Sequence, residues 1–116
     1  MRALLHAVIA SAIAGMPAAA QPARTVEVGL SEWAISMPAS LPAGRTTLVV
    51  TNTGSRAHNI AIGRDGTGRA QRFGESIAPG ARAAMTVDLA PGTYRVSCPV
   101  FGHAPLGMER TITVTP

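Results

Sequence analysis

Thr93-Tyr94-Arg95-Val96-Ser97-Cys98-Pro99-Val100-Phe101-Gly102-His103-Ala104-Pro105-Leu106-Gly107-Met108 carries two messages at once. Its first part alternates. Tyr94, Val96 and Cys98 share one face of an extended chain, and Arg95 and Ser97 share the other. A strand with one buried face ends on a cysteine that points to the apolar side. Its second part sets a thiol, an imidazole and a thioether at equal intervals along one loop, Cys98, His103 and Met108. Pro99 and Pro105 stiffen that loop by fixing φ near −65° and removing N–H donors. Gly102 and Gly107, directly before His103 and Met108, let the backbone turn tightly.

Outward from this stretch, the same pattern continues. Thr25–Leu30 alternates apolar and polar residues, Trp33–Ser36 is a short run, and Thr46–Asn52 is rich in Thr and Val. His58–Ile62, Ala83–Leu89 and Arg110–Thr115 complete the set, the last with Ile112 and Val114 inward. Punctuation comes from Pro42-Ala43-Gly44, Asn52-Thr53-Gly54-Ser55, Pro79-Gly80 and Pro91-Gly92. Arg64-Asp65-Gly66-Thr67-Gly68-Arg69 reads as an exposed loop, because its glycines follow no phosphate-binding fingerprint. No sustained helical period occurs after Ala20. The expectation is an all-β sandwich or barrel of about seven or eight short strands.

The beginning of the chain reads differently. Met1-Arg2 is a short positive region, Ala3–Ala14 is apolar, and Ala18-Ala19-Ala20 offers a small-residue cleavage site. Residues 1–20 are therefore expected to be a cleaved export signal, with 21–116 as one domain. Gly15 and Pro17 break the apolar stretch too early for a comfortable membrane span. Removal of the leader leaves nine of the ten arginines and all six acidic residues, for a formal charge of +3. No lysine occurs, no basic run occurs, and aromatics make up 3% of residues, so a nucleic-acid face is not expected. A single cysteine cannot form the intramolecular disulfide that small exported domains often use. It is an inert residue, an intermolecular link or a ligand. The neighbouring histidine and methionine favour the last.

The ligand inventory narrows the metal. Without the leader, His58 and His103 are the only histidines. Two His, one thiolate and a weak axial thioether form the electron-transfer arrangement of copper. Alone, His58 would be an ordinary strand-end histidine. Met108 alone would be core filling, the role expected of Met37 and Met85. Together, His58, Cys98, His103 and Met108 point to one mononuclear copper ion. Zinc is poorly served, because its structural sites use four Cys or His ligands. A binuclear copper centre needs two cysteines. A multicopper oxidase flanks its cysteine with histidines, where this chain has Ser97 and Pro99.

Asn52-Thr53-Gly54 followed by His58-Asn59, then Tyr94–Pro99 running to His103 and Met108, resembles the plastocyanin/azurin family of small blue copper proteins, the cupredoxins. The resemblance is most specific over 52–62 and 94–114. It implies a Greek-key β-sandwich with copper at one end. It also implies a supporting role for Asn59, whose backbone and side chain would tie the first ligand to the cysteine loop. Four residues separate Cys98 from His103, where plastocyanin has two, so the loop is closer in length to those of azurin and rusticyanin.

The function this implies is that of a periplasmic one-electron carrier, a monomer and not an enzyme. It would shuttle between a redox donor and an acceptor, such as a cytochrome or a copper oxidoreductase. His103 would be the electron port, ringed by Val100, Phe101, Ala104, Pro105 and Leu106 as a docking patch. The plainer alternative is that Phe101 and Leu106 cap the sandwich core. A different class of function is copper storage, delivery or resistance. The lack of Met- or His-rich segments speaks against it.

Overall fold

Alternating burial organises nearly every element of the computed structural model, which describes residues 22–116. The expected export signal lies outside those residues. Among the described residues nine strands form in order: β1 (Arg24–Ser31), β2 (Ala34–Ser36), β3 (Ser40–Pro42), β4 (Gly44–Asn52), β5 (Ala61–Arg64), β6 (Gln71–Arg72), β7 (Arg82–Leu89), β8 (Gly92–Ser97) and β9 (Glu109–Thr115). One sheet runs β2-β1-β4-β7 and the other β3-β9-β8-β5-β6. In the first, β1 pairs parallel with β4 while β2 and β7 lie antiparallel at the edges. The second is antiparallel except where β3 joins β9. This is a Greek-key β-sandwich. The chain leaves β1 and β2, visits the second sheet at β3, and returns to the first at β4.

The inward faces follow from the period of two. Val26, Val28 and Leu30 of β1, with Leu48 and Val50 of β4, are buried in one sheet. From the other sheet Tyr94 and Val96 of β8 and Ile112 and Val114 of β9 are buried in the same apolar cluster. Each such side chain contributes roughly 1.5–3 kcal/mol on leaving water. The Tyr94 hydroxyl donates to the Ala90 carbonyl at 2.9 Å, so its polar end is satisfied at the margin of the core. Met37 and Met85 pack against the core as partly buried side chains.

Register brings the chemistry to one end. Leu30 pairs with Asn52 near the ends of the parallel strands β1 and β4. Ser97 pairs with Glu109 where β8 ends and β9 begins. The β1–β2 turn, the segment after β4 and the β8–β9 loop therefore gather at the same end of the sandwich.

Three details differ from the sequence pattern. The strand expected to begin at His58 begins at Ala61. Asn59 explains the delay, because its side-chain oxygen takes the Ile60 N–H at 2.7 Å, a local bond that competes with a sheet ladder. His58 instead makes an isolated bridge to Ile77. The other two differences are β3 and β6. β3 ends on Pro42, which a sheet tolerates at its edge, and Gln71-Arg72 of β6 is exposed and shows no alternation. They raise the count to nine.

Candidate metal centre

Asn52 builds the approach to the first histidine. It is fully buried, and its side-chain amide donates to the Arg56 and Ile77 carbonyls at 2.8 Å each. Its side-chain oxygen accepts the Gly54 N–H at 2.9 Å. One side chain thus folds the segment after β4 back on itself. His58 is then clamped from the backbone: its N–H donates to the Ile77 carbonyl at 3.1 Å, and the Ile77 N–H donates back at 2.6 Å. The ring is completely buried.

The β8–β9 loop supplies the other donors. Cys98 is one residue beyond β8 and is buried on the face of Tyr94 and Val96. His103 stands before a single 3-10 turn, Ala104–Leu106, that contains Pro105. Met108, immediately before β9, is fully buried.

These elements bring three donor atoms face to face. His58 Nδ1 is 3.1 Å from His103 Nδ1, and Cys98 Sγ is 4.0 Å from the first and 3.6 Å from the second. Nitrogen and sulfur donors in a trigonal arrangement about 2.0–2.3 Å from a shared ion would stand about 3.5 to 3.7 Å apart. The observed separations bracket that range, so the donor set fits a single metal ion. One thiol and two imidazoles match a blue-copper plane. The methionine stands at the end of the same loop.

A second layer holds the donors. The Asn59 N–H donates to Cys98 Sγ at 3.5 Å, linking the first histidine's segment to the cysteine. The Asn59 side chain does not share that task. It donates to the Phe73 carbonyl at 2.9 Å. The β1–β2 turn contributes residues that no sequence motif marks. Glu32 Oε2 lies 3.0 Å from His58 Nε2. Glu32 Oε1 accepts both the Ser55 N–H and the Ser55 hydroxyl at 2.7 Å. Trp33 meets His103 edge-on at 4.9 Å between ring centroids and His58 at 6.3 Å. The Arg56 guanidinium lies over the Trp33 ring at 5.7 Å. Sequence reasoning missed all of these. Only the β1–β4 register, which puts Leu30 beside Asn52, could have pointed to Glu32.

Electrostatics prepares the site. Hydrogen bonds from His58, and then from Ser55, pull the Glu32 carboxyl down to about 2. Burial first, and then neighbouring charge, hold His103 below its ordinary value, with Glu32 opposing. A neutral imidazole is the form a metal requires.

Outside the site, Phe101 is entirely exposed and Leu106 is 57% exposed. Neither caps the core. Val100 and Ala104 are half-buried, and Pro105 is exposed beside Leu106. No helix among the described residues is long and apolar enough to cross a membrane.

Comparison with known proteins agrees with the geometry. The sequence matches no curated protein significantly. Among solved structures, dithionite-reduced auracyanin from Roseiflexus castenholzii superposes with a TM-score of 0.69 at 22% identity, over 81% of this chain and 98% of that one. Auracyanin B gives a TM-score of 0.68 at 26% identity, over 83% and 91%. Rusticyanin from Thiobacillus ferrooxidans gives 0.62 at 20%, over 82% and 80%. A multicopper oxidase also shares the fold, at 19% identity, but this chain covers only 41% of it. The family model for copper binding proteins of the plastocyanin/azurin family matches residues 37–115, from before β3 to the end of β9 and across His58, Cys98, His103 and Met108. A sandwich that closes one thiol and two imidazoles around a single point, and that this family model matches from β3 to β9, belongs to the plastocyanin/azurin family of copper-binding cupredoxins.

Proposed function

We propose that this protein is an exported, periplasmic one-electron carrier working between a redox donor and an acceptor, such as a cytochrome or a copper oxidoreductase. His58, Cys98 and His103 would hold copper, with the Met108 thioether as a weak fourth ligand. Copper bound there supplies a Cu(II)/Cu(I) couple. The observation that carries the reading is the convergence of Cys98 Sγ and the two Nδ1 atoms within 4.0 Å of one another.

The rest of the site supports transfer over turnover. Cys98 and His58 are buried, so water has little access to the thiolate. The donors His58, Cys98 and His103 are fixed by backbone bonds to Ile77, Met108 and Val100 respectively, which limits rearrangement between oxidation states. His103 alone of the three is half-buried rather than buried, and it lies in the same loop as Phe101 and Leu106. That combination suits an electron port inside a small apolar docking patch, which also includes Val100, Ala104 and Pro105. Weak, transient contacts of this kind bury little surface.

The test is voltammetry on the exported protein loaded with copper. A reversible one-electron wave, with the intense blue of thiolate-to-copper charge transfer, is expected. Cys98→Ser should remove the colour and leave a folded β domain. Tight Cu(I) binding with no reversible wave would instead favour copper storage or delivery. A blue Cys98→Ser protein would sink the ligand assignment.

A further inference from the structure

We propose that Glu32 is a positioning residue for the metal centre, whose carboxylate fixes the tautomer of His58 and lowers the reduction potential of the copper that His58 helps to hold. The inference rests on the copper-carrier function proposed for this site and concerns a residue of the β1–β2 turn.

The geometry is directional. Glu32 Oε1 is engaged by Ser55, through its N–H and its hydroxyl, both at 2.7 Å. Those two bonds orient the carboxylate so that Oε2 reaches His58 Nε2 at 3.0 Å. An ionised carboxylate only accepts hydrogen bonds, so the ring proton belongs on Nε2. The Nδ1 lone pair is then free, and it faces Cys98 Sγ and His103 Nδ1. With the ring fully buried, this contact decides which nitrogen serves the metal. Space for the contact comes from Gly54, where any Cβ would collide with the Glu32 carboxylate and crowd the His58 ring.

The consequence for redox follows from charge. A carboxylate on the far nitrogen makes the imidazole a stronger donor, and such outer partners change metal affinity by about 10–100-fold. The added negative charge favours Cu(II) over Cu(I). Neutralising it should shift the balance toward Cu(I).

Two measurements test this. Glu32→Gln keeps the shape and an acceptor oxygen but removes the charge. In the copper-loaded protein it should raise the preference for Cu(I) about tenfold, read by voltammetry as ~59 mV for one electron. Glu32→Asp, which keeps the charge, should stay nearer the parent. In the unmutated apoprotein at about pH 8, above the ordinary imidazole range, nitrogen NMR should find His58 protonated on Nε2. That second measurement needs no variant, so a misfolded Glu32→Gln would not leave the question open. An unchanged potential in Glu32→Gln, or an Nδ1–H tautomer in the parent, overturns the proposal. A parent that takes up no copper refutes the copper reading instead, and the tautomer still reports on Glu32.

Discussion

The Cys98 N–H donates to the Met108 carbonyl at 2.9 Å, so the two sulfur-bearing ends of the ligand loop are fastened to each other. The link continues the β8–β9 ladder by one step beyond the Ser97–Glu109 pair. Inside the loop, His103 donates to Val100 at 3.0 Å, Leu106 to His103 at 3.1 Å and Gly107 to Ala104 at 3.0 Å. Pro99 and Pro105 have no N–H to leave unpaired. Gly107 adopts φ 129°, a region that side-chain-bearing residues avoid, and a Cβ there would press on the Trp33 carbonyl. A closed loop of this kind presents its donors from a backbone that is already folded.

Asn52 should be the most sensitive polar residue outside the donor set. Asn52→Ala would strip the Arg56 carbonyl and the Gly54 N–H, both part-buried, of their side-chain partner, and leave the buried Ile77 carbonyl with only the His58 N–H. Polar groups left unsatisfied cost about 1–3 kcal/mol when buried, so a loss of about 2 kcal/mol is expected. Urea unfolding of the apoprotein checks it. A loss under about 1 kcal/mol would mean that water replaces the side chain.

Acid should weaken the apoprotein over two intervals. His103 is held below the ordinary 6.5 by burial first and neighbouring positive charge second. Its neutral form is therefore easier to keep folded, and stability present above 6.5 declines as pH falls toward its folded value. Glu32 is held at about 2 against 4.5, chiefly by the His58 hydrogen bond, so its share is present above 4.5 and is lost between 4.5 and 2. Both slopes have the same sign. Denaturant midpoints measured from pH 8 downward should fall throughout, and a midpoint that rises below pH 6.5 contradicts the assignment.

Much of the fold is legible in the sequence, for a physical reason. Alternation reports a half-buried strand directly, so β1, β4, β7, β8 and β9 lie within a few residues of where the pattern puts them. Loop donors announce themselves by residue type, and Cys98 and His103 need only each other and His58. What escapes depends on register and on local competition. Glu32, Trp33 and Ser55 reach the site only because β1 runs parallel to β4, a pairing between strands distant in sequence. The late start of β5 turns on one side-chain bond from Asn59. Pro42 and the polar pair Gln71-Arg72 carry no strand signature at all.

Docking should depend on the exposed rim and leave the copper alone. Leu106 is 57% exposed and follows His103 by three residues, at the end of the 3-10 turn. Leu106→Glu places a charge where an apolar partner would sit, while stability should stay within about 0.5 kcal/mol, as for most surface changes. Electron exchange with a redox partner, measured by stopped flow, should slow. Colour and potential should hardly move. Equal exchange rates in variant and parent would remove His103 and its rim from the docking role.

Met108 should tune the centre rather than hold it. It is fully buried beside the closed base of the loop, where its carbonyl receives the Cys98 N–H. The backbone bond survives substitution, so side-chain variants can test the thioether with the loop still fastened. A long axial ligand bonds weakly, and blue-copper potentials respond to it and to the polarity around the cysteine sulfur. Met108→Gln offers a harder oxygen donor that favours Cu(II), so the potential should fall. Met108→Leu removes the donor and should raise it, at a packing cost under about 1.5 kcal/mol for a swap of similar volume. Copper should remain bound in both through His58, Cys98 and His103. Opposite shifts in the pair identify an axial ligand, whereas an unchanged potential in both makes Met108 a core residue that only happens to end the loop.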